Sequence, residues 1–292
     1  MIERYSRDEI KKIWDLESKF GYYLKVELAV CEAYNKLGQI PDSALKQIKE
    51  NAAFSLSRID EIEAEVKHDV IAFLTNINET VGPENAKYIH MGLTSSDVID
   101  TAFALQIIDS SEIILNDLRE LISVVKKKAF KYKNTVCIGR SHGIHAEVTT
   151  FGYKLLNWLD SLQRAKKDFK NALEEISAGQ MSGPVGTYSN ISPEVEKLAC
   201  EILNIKPAKI TTQIISRDRH AKFMSALAII AGLIEQFATE IRHLMRTEVR
   251  EAEEGFGKNQ KGSSAMPHKK NPVLCENLCG LARVVRSNML VG

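Results

Sequence analysis

Long runs with helical periodicity dominate the pattern of apolar and polar positions. From Leu93 to Ile138 the chain contains neither Gly nor Pro, and apolar residues recur there every three or four positions. Similar runs extend from Tyr153 to Ala178 and from Arg217 to Glu254, and a fourth begins after Pro272. This spacing predicts long amphipathic helices. Because a helix of about 35 residues would span about 50 Å, we predict an extended bundle that offers apolar surface to other subunits.

Shorter helices are predicted ahead of the first long run, at about Ser6 to Leu37, Pro41 to Asn51 and Ser57 to Glu79. Gly82 and Pro83 then give a turn signal. We therefore predict an all-α fold with a small N-terminal helical domain at residues 1–92 and a long-helix bundle at residues 93–292. Residues 255–272 are predicted to form a flexible loop within this bundle.

Charge and cysteine content exclude several classes of protein. The chain has 39 Lys and Arg against 38 Asp and Glu, so it has no overall attraction to nucleic acid or to an acidic membrane surface. Its charged start lacks the apolar core of a secretory signal, and no uninterrupted apolar run approaches the roughly 18 residues of a spanning helix. Five scattered cysteines without a CxxC pair argue against a disulfide framework and against zinc. We predict a cytoplasmic protein that binds neither nucleic acid nor membranes.

The run GFGKNQKGSSAMPHKKNP, residues 255–272, interrupts the helical pattern. It is rich in lysine and has no acidic residue. Irregular segments longer than about 12 to 15 residues are uncommon within a domain and are often functional, although a lysine-rich connection is more often only a solvated loop. Concentrated positive charge beside Ser263 and Ser264 suits a flap that closes over an anion. A P-loop is excluded, because Ser263 stands where the Walker A motif requires Lys.

Two further polar segments precede predicted long helices. Residues 90–97, HMGLTSSD, supply hydroxyls that cap backbone N–H groups, where the helix dipole also attracts anions. Residues 139–150 contain His142 and His145, which lack a third metal ligand and suit one proton-transfer group and one orienting group. Cleavage of a C–N or C–O bond beside a carboxylate requires a base, an acid and clamps for the developing charge. These three segments are the candidates for such chemistry.

Serine is normally too weak a base for this reaction. In a flap dense with lysines and backbone amides, its alkoxide could be stabilised enough to act once the flap excludes water. The spacing of the residues does not choose between Ser263 and Ser264.

The run from Gly262 to Pro272 matches every fixed position of GSS-x-MP-x-K-x-NP, the signature loop of the fumarase/aspartase superfamily. The three polar segments resemble the three signature regions of that superfamily, in the same order. Within it, the chain is most similar to the bacterial type of the adenylosuccinate lyase family. The matching segments are Arg4-Tyr5, Lys67-His68-Asp69-Val70, Thr94 to Thr101, His142 to Glu147, and Gln213 followed by Arg217 to His220.

The resemblance implies a lyase of purine biosynthesis. Such an enzyme eliminates fumarate from adenylosuccinate to give AMP, and from succinyl-aminoimidazole-carboxamide ribotide to give the carboxamide ribotide. The resemblance also implies a homotetramer whose long helices form a central bundle, with active sites shared between subunits. It implies neither a metal nor an organic cofactor.

The resemblance assigns roles to individual residues. Ser263 would be the general base and His142 the general acid, with Glu276 polarising His142. His68 would join this catalytic set and also contact the substrate. The other substrate-binding residues would be Arg4 and Tyr5 at the phosphate, Thr94, Ser95, Lys269 and Asn271 at the succinyl carboxylates, and Lys67, Asp69, His90 and Gln213 elsewhere on the substrate.

Three alternatives remain open. Carboxymuconate cycloisomerases and argininosuccinate lyases share the flap, but the segments Lys67-His68-Asp69 and Arg4-Tyr5 argue against them. A non-catalytic structural homologue, like the lens crystallins related to argininosuccinate lyase, would keep the scaffold without the activity. The intact set of catalytic residues argues against that reading. Because superfamily members continue beyond the helix in which this chain ends, we expect the chain to be a piece of a longer protein.

Overall fold

The computed structural model describes residues 3–266 and 268–291; Met1, Ile2, Gly292 and Pro267 of the predicted loop lie outside the described residues. The chain is 64% helical with 6% strand, so the predicted all-α class is confirmed. The helices are α1 (Asp8–Ile13), α2 (Leu16–Lys36), α3 (Asp42–Asn51), α4 (Leu56–Val66), α5 (Asp69–Val81), α6 (Pro83–Ala86), α7 (Ser95–Lys131), α8 (Phe151–Ile176), α9 (Pro193–Ile202), α10 (Asp218–Leu244) and α11 (Val273–Asn288). The strands are β1 (Val136–Ser141), β2 (Ile144–Thr150), β3 (Ala178–Gly179) and β4 (Lys206–Pro207), and Glu3–Tyr5 forms a short 3-10 helix.

The chain divides into two compact units. Unit 1 comprises residues 1–113 and 173–217, and unit 2 comprises residues 114–172 and 218–292. Helices α7 and α8 therefore contribute to both units. This division differs from the predicted domains at residues 1–92 and 93–292, and that domain assignment stays a prediction.

The core of unit 1 surrounds α2. The rings of Phe20 on α2 and Phe73 on α5 are stacked with their centroids 5.5 Å apart. The first turns of α7 join the same core through Val98 and Ala102, and α9 joins it through Val195. Strands β3 and β4 add a short parallel pair. This packing places the start of α7 and the segment before α9 in one apolar core.

Two helices predicted in unit 1 are each broken into two. The predicted helix from Ser6 to Leu37 ends at Ile13 and restarts at Leu16, where Asp15 accepts the N–H of Ser18 as the N-cap. The predicted helix from Ser57 to Glu79 breaks at Lys67, which has a left-handed backbone with a φ of 58°. Residues in that conformation often terminate helices. Helix α4 therefore ends before Lys67, and α5 begins at Asp69.

The core of unit 2 joins α7, α8 and α10. Trp158 of α8 stacks on Phe237 of α10 with ring centroids 4.5 Å apart, and α11 packs its buried Cys275 and Cys279 near Ala238 of α10. By length and composition, α10 is the one described helix that could cross a membrane. Core helices of soluble proteins pass the same test, so this is weak evidence, and the predicted absence of a membrane stays a prediction.

Two predicted long helices that contribute to unit 2 end early. Helix α7 stops at Lys131, and residues 136–150 form an antiparallel β1–β2 hairpin that the helical pattern missed. Its turn residues His142 and Gly143 have φ values of 55° and 79°, as a tight two-residue hairpin requires. Helix α10 stops at Leu244 and not at Glu254, because Arg250 turns with a φ of 52° and the Glu251 N–H returns to the Leu244 carbonyl oxygen at 2.9 Å.

Candidate active site

The predicted site residues form two groups, one in each unit. Unit 1 holds Arg4, Tyr5, Lys67, His68, Asp69, His90, Thr94, Ser95 and Gln213. Unit 2 holds His142, Ser263, Lys269, Asn271 and Glu276. The proposed acid and base therefore both lie in unit 2, and most of the proposed substrate contacts lie in unit 1.

A buried carboxylate holds His90 in unit 1. Glu27 on α2 has 0% relative exposure, and its Oε2 accepts the backbone N–H of His90 at 2.9 Å. Its Oε1 lies 2.7 Å from Nδ1 of the same histidine. His90 has a φ of 61°, which is uncommon for a residue other than Gly, so Glu27 secures both the backbone and the ring. The ring keeps 20% of its surface exposed and can meet a ligand.

His68 is the N-cap of α5. Its Nδ1 accepts the N–H of Ile71 at 3.4 Å and lies 3.6 Å from Oδ1 of Asp69. Because Nδ1 accepts a hydrogen bond, the proton of the neutral ring belongs on Nε2. The side chains of His68 and Asp69 are each 43% exposed. The turn at Lys67 thus presents three predicted site residues together at the start of one helix.

Asp97 organises the start of α7, where Thr94 and Ser95 are half-buried. Its Oδ2 accepts the Thr94 N–H at 2.9 Å, the reciprocal bond of a capping box. Its two carboxylate oxygens also accept the N–H groups of Ser182 and Gly183, both at 3.1 Å. Burial raises the pKa of Asp97, and the three backbone donors oppose that rise. The carboxylate therefore joins the start of α7 to the segment that follows β3.

Two buried groups fix the segment that carries Gln213. The fully buried Gln180 donates from Nε2 to the carbonyl oxygen of Gln213 at 2.7 Å. Asp100 of α7 accepts the N–H of Ile215 at 2.8 Å and both terminal nitrogens of Arg217 at 3.0 and 2.9 Å. The Gln213 side chain is exposed. Its backbone is thus anchored while its amide remains available to a ligand.

Arg4 and Tyr5 lie in the exposed 3-10 helix Glu3–Tyr5, and the Tyr5 side chain is 49% exposed. Among the described residues, no hydrogen bond or ion pair joins either of them to another predicted site residue. Their assignment to the phosphate stays a prediction.

Ser263 in unit 2 accepts two backbone hydrogen bonds. Its Oγ receives the N–H groups of Ala265 and Met266, both at 3.2 Å. Hydrogen bonds donated to an oxygen stabilise its anionic form more than its neutral form. This pair of donors distinguishes Ser263 from Ser264, which the spacing of the residues does not do. Gly262 allows the loop to fold back here, since a Cβ at that position would lie 2.2 Å from the carbonyl oxygen of Lys269.

A cleft of about 750 Å³ brings three predicted residues of unit 2 together. Lys269, Asn271 and Glu276 line it. The cleft is also lined by Arg242, His243, Arg246, Arg250, His268 and Lys270. With a single acidic residue among so many basic ones, this surface suits a polyanion. The arginines carry no sequence signal of their own, because basic residues in a run with helical spacing are typical of a solvated helix face.

Glu254 joins the two ends of the lysine-rich loop. Its Oε1 accepts the N–H of Cys275 at 2.9 Å and its Oε2 that of Leu274 at 3.3 Å, so it caps the first turn of α11. Lys270 pairs with Glu253, and its ammonium lies 5.6 Å from the centroid of the Phe256 ring. The base of the loop is therefore closed by side chains from both of its ends.

His142 occupies the exposed tip of the β1–β2 hairpin. Arg140, two residues earlier, donates from Nη1 to Oε2 of Glu251 at 3.1 Å, and this pairing lowers the pKa of Glu251. Among the described residues, no hydrogen bond or ion pair joins His142 to Glu276 or to Ser263. The predicted polarisation of His142 by Glu276 stays a prediction. Over the same residues, no group of three or more His, Cys, Asp or Glu could hold a metal ion.

Comparison with known proteins places this chain in a family. The Lyase family model matches residues 3–287. The chain is 53% identical over 288 residues to the adenylosuccinate lyase of Synechocystis sp. and 50% identical over 290 residues to that of Bacillus subtilis, in each case covering 99% of this chain and 67% of the relative. The crystal structure of a 3-carboxy-cis,cis-muconate lactonizing enzyme from Pseudomonas putida matches with a TM-score of 0.88 and 27% identity, covering 98% of this chain and 65% of that one. The chain thus spans about two thirds of the length of these proteins.

Proposed function

Since the chain belongs to the Lyase family, we propose that it eliminates fumarate from adenylosuccinate to give AMP. We propose the same reaction on succinyl-aminoimidazole-carboxamide ribotide, as part of purine biosynthesis in the cytoplasm. The relatives that share half of their residues with this chain bear the name adenylosuccinate lyase. The much lower identity to the lactonizing enzyme makes a cycloisomerase the weaker alternative.

The pair of backbone donors at Ser263 carries this proposal. The elimination begins with loss of a proton from a carbon next to a carboxylate, for which a neutral serine is too weak a base. Two N–H groups at 3.2 Å from Oγ and the positive charge of the lysines in the same loop favour the alkoxide. Exclusion of water by a closed loop strengthens both effects. Ser263 is therefore the general base.

His142 is the general acid that protonates the departing nitrogen, and Glu276 polarises it. Because no contact within the described part of the chain joins these two side chains, a second subunit completes the pair. A homotetramer with active sites shared between subunits provides this arrangement. Unit 2 also exposes apolar side chains that a partner subunit would cover: Val124, Ile144, Val148, Ile229, Leu274 and Val284.

The substrate carries carboxylates and a phosphate, so its recognition is mainly electrostatic. Lys269 and Asn271 in the cationic cleft bind the succinyl carboxylates, together with Thr94 and Ser95 at the positive end of α7. The remaining contacts are Arg4 and Tyr5 at the phosphate and Lys67, His68, Asp69, His90 and Gln213 elsewhere, with His68 also in the catalytic set. The arginines that line the cleft raise the local concentration of the anion. The reaction requires no metal or organic cofactor in this proposal.

Replacement of Ser263 by alanine tests the proposal. We expect Ser263→Ala to lower the rate of fumarate formation from adenylosuccinate, followed by ultraviolet absorbance, by about 10²- to 10⁴-fold. Ser264→Ala is the matched control and should keep most of the activity, and light scattering should show both variants assembled like the unaltered protein. A fully active Ser263→Ala variant would remove the base assignment. If the unaltered protein does not convert adenylosuccinate but does convert a carboxymuconate, the result would support the alternative function of a cycloisomerase.

A further inference from the structure

Glu27 is a fully buried acidic residue in the apolar face of α2. It follows Tyr23 by one helical turn and precedes Cys31 by another, and both of these neighbours are buried. Burying a carboxylate is costly unless hydrogen bonds satisfy it. Among the described residues, the hydrogen bonds to Glu27 come from one residue, through the backbone N–H and Nδ1 of His90. Such a group is retained in a core where it holds its partner in place.

We propose that Glu27 is a positioning residue, which keeps the proton of His90 on Nδ1 and leaves Nε2 for the substrate. This inference rests on the contact between His90 and the substrate proposed above. A carboxylate can only accept hydrogen bonds, so Nδ1, 2.7 Å from Oε1, must be protonated. That holds for the neutral and for the charged ring. Nε2 is then the ring nitrogen that meets a ligand, and in the neutral ring it is an acceptor.

His68 presents the opposite arrangement. Its Nδ1 accepts a backbone N–H, so its neutral ring carries the proton on Nε2 and offers a donor. The two histidines of unit 1 therefore differ in what they offer a ligand, although both reach it through Nε2. A donor at His68 suits an anionic or carbonyl oxygen of a nucleotide, and an acceptor at His90 suits one of its hydroxyl or N–H groups. Glu27 is the residue that creates this difference.

Glu27→Gln tests the inference, because glutamine keeps the shape but has one acceptor and one donor. The backbone N–H of His90 can only donate, so the glutamine oxygen must face it. The glutamine NH₂ then faces Nδ1, which must become an acceptor, and the proton moves to Nε2. We expect ¹⁵N NMR of histidine-labelled protein to show this change of tautomer at His90, with its signals assigned by their loss in His90→Asn. We also expect kcat/KM for adenylosuccinate to fall about 10- to 100-fold, as when other histidine-orienting partners are removed.

Glu32→Gln is the matched control on the same helix. Glu32 pairs with Lys49 and Lys36 near the surface, so the same substitution there should change neither the His90 tautomer nor kcat/KM. Glu27→Asp keeps an acceptor-only side chain and should preserve the Nδ1 proton; it carries the test if Glu27→Gln does not fold.

Each result decides a separate part of the inference. An unprotonated Nδ1 in the unaltered protein, or an unchanged tautomer in Glu27→Gln, overturns it. A changed tautomer with unchanged kcat/KM overturns the link between His90 and the substrate. The NMR result does not depend on turnover, so failure of the proposed lyase activity would appear in the assay of the unaltered protein alone.

Discussion

Units 1 and 2 hold their parts of the proposed site in different ways. In unit 1, the buried carboxylates of Glu27 and Asp97 accept the backbone N–H groups of two site residues, His90 and Thr94. The buried carboxylate of Asp100 accepts the N–H of Ile215, two residues after Gln213. In unit 2, the hydrogen bonds to Ser263 come from its near neighbours in the loop, and His142 lies at an exposed hairpin tip. Preorganised groups lose little entropy when a ligand binds. Under the proposed function, unit 1 is thus a preformed binding surface, whereas the proposed chemistry of unit 2 depends on closure of the loop and on partner subunits.

The largest expected effect comes from Gly92, which tests the rigidity of unit 1. It has a φ of 77°, and a Cβ there would lie 2.5 Å from the Asn190 carbonyl oxygen and 3.0 Å from the Tyr34 hydroxyl. We expect Gly92→Ala to lower the free energy of unfolding by about 3 kcal/mol, combining left-handed strain with overpacking. Urea unfolding measures it. Gly38→Ala, at a φ of 72° with nothing within 4 Å, should lose only about 1 kcal/mol; equal losses would mean that the contact with Asn190 is loose.

The second expected effect is on activity and not on stability. Gly262→Ala would place its Cβ 2.2 Å from the Lys269 carbonyl oxygen and displace the loop that carries Ser263. We expect kcat/KM to fall about 100-fold, while the urea midpoint changes little because the loop is exposed. Gly255→Ala is the control in the same loop, since nothing lies within 4 Å of its Cβ. A loss of stability with full activity would contradict the distinction between the two units.

The smallest of the three effects concerns pH and the buried carboxyl of Glu196 in unit 1. Glu196 accepts the Met181 N–H and the Tyr188 hydroxyl, both at 2.8 Å, and burial raises the pKa of Tyr188 to about 12, so that its hydroxyl stays protonated. Burial also raises the pKa of Glu196 above its ordinary value of 4.5. Between the pKa of Glu196 in the unfolded chain and its higher pKa in the fold, the folded state therefore binds more protons than the unfolded state. Ionisation of Glu196 lowers the free energy of unfolding as the pH rises through this range.

Glu196→Gln removes this ionisation. We expect the stability of the variant, relative to that of the unaltered protein, to be higher at pH 7 than at pH 4. Urea unfolding at both pH values measures this difference. Glu79 predicts the opposite trend, because its hydrogen bond with Arg58 lowers the pKa of Glu79. Glu79→Gln should therefore be less stable, relative to the unaltered protein, at pH 7 than at pH 4. The same trend in both variants would contradict the assignment.

The sequence predicted those elements whose signal is local and uninterrupted. Helix α8 (Phe151–Ile176) and helix α11 (Val273–Asn288) follow the predicted runs closely, because amphipathic spacing decides them. The β1–β2 hairpin was missed, since a stretch without Gly or Pro hides the β-branched alternation of residues 136–138. Only the His142-Gly143 pair marks the turn, and it lies in a segment whose sequence signal is its polar character.

The sequence could predict which residues belong to the candidate site, but not the contacts that those residues make. The spacing of residues left Ser263 and Ser264 open and the resemblance chose Ser263, but the two backbone N–H groups that reach its Oγ are visible only in the structure. Glu27 could have been noticed as a charge in the apolar stripe of α2. Its partner His90 lies 63 positions along the chain, and no local pattern reveals a contact at that distance.

The carboxylate of Glu254 holds the start of α11 through contacts that do not involve residues 255–272 of the lysine-rich loop. With both ends of the loop secured against the start of α11, the helices do not depend on the sequence at its tip. Lengthening such a loop costs little, since closure entropy rises only about 0.6 kcal/mol for each doubling of length. Insertions between Phe256 and Lys261 are therefore expected to leave both the start of α11 and the segment that carries Ser263 in place.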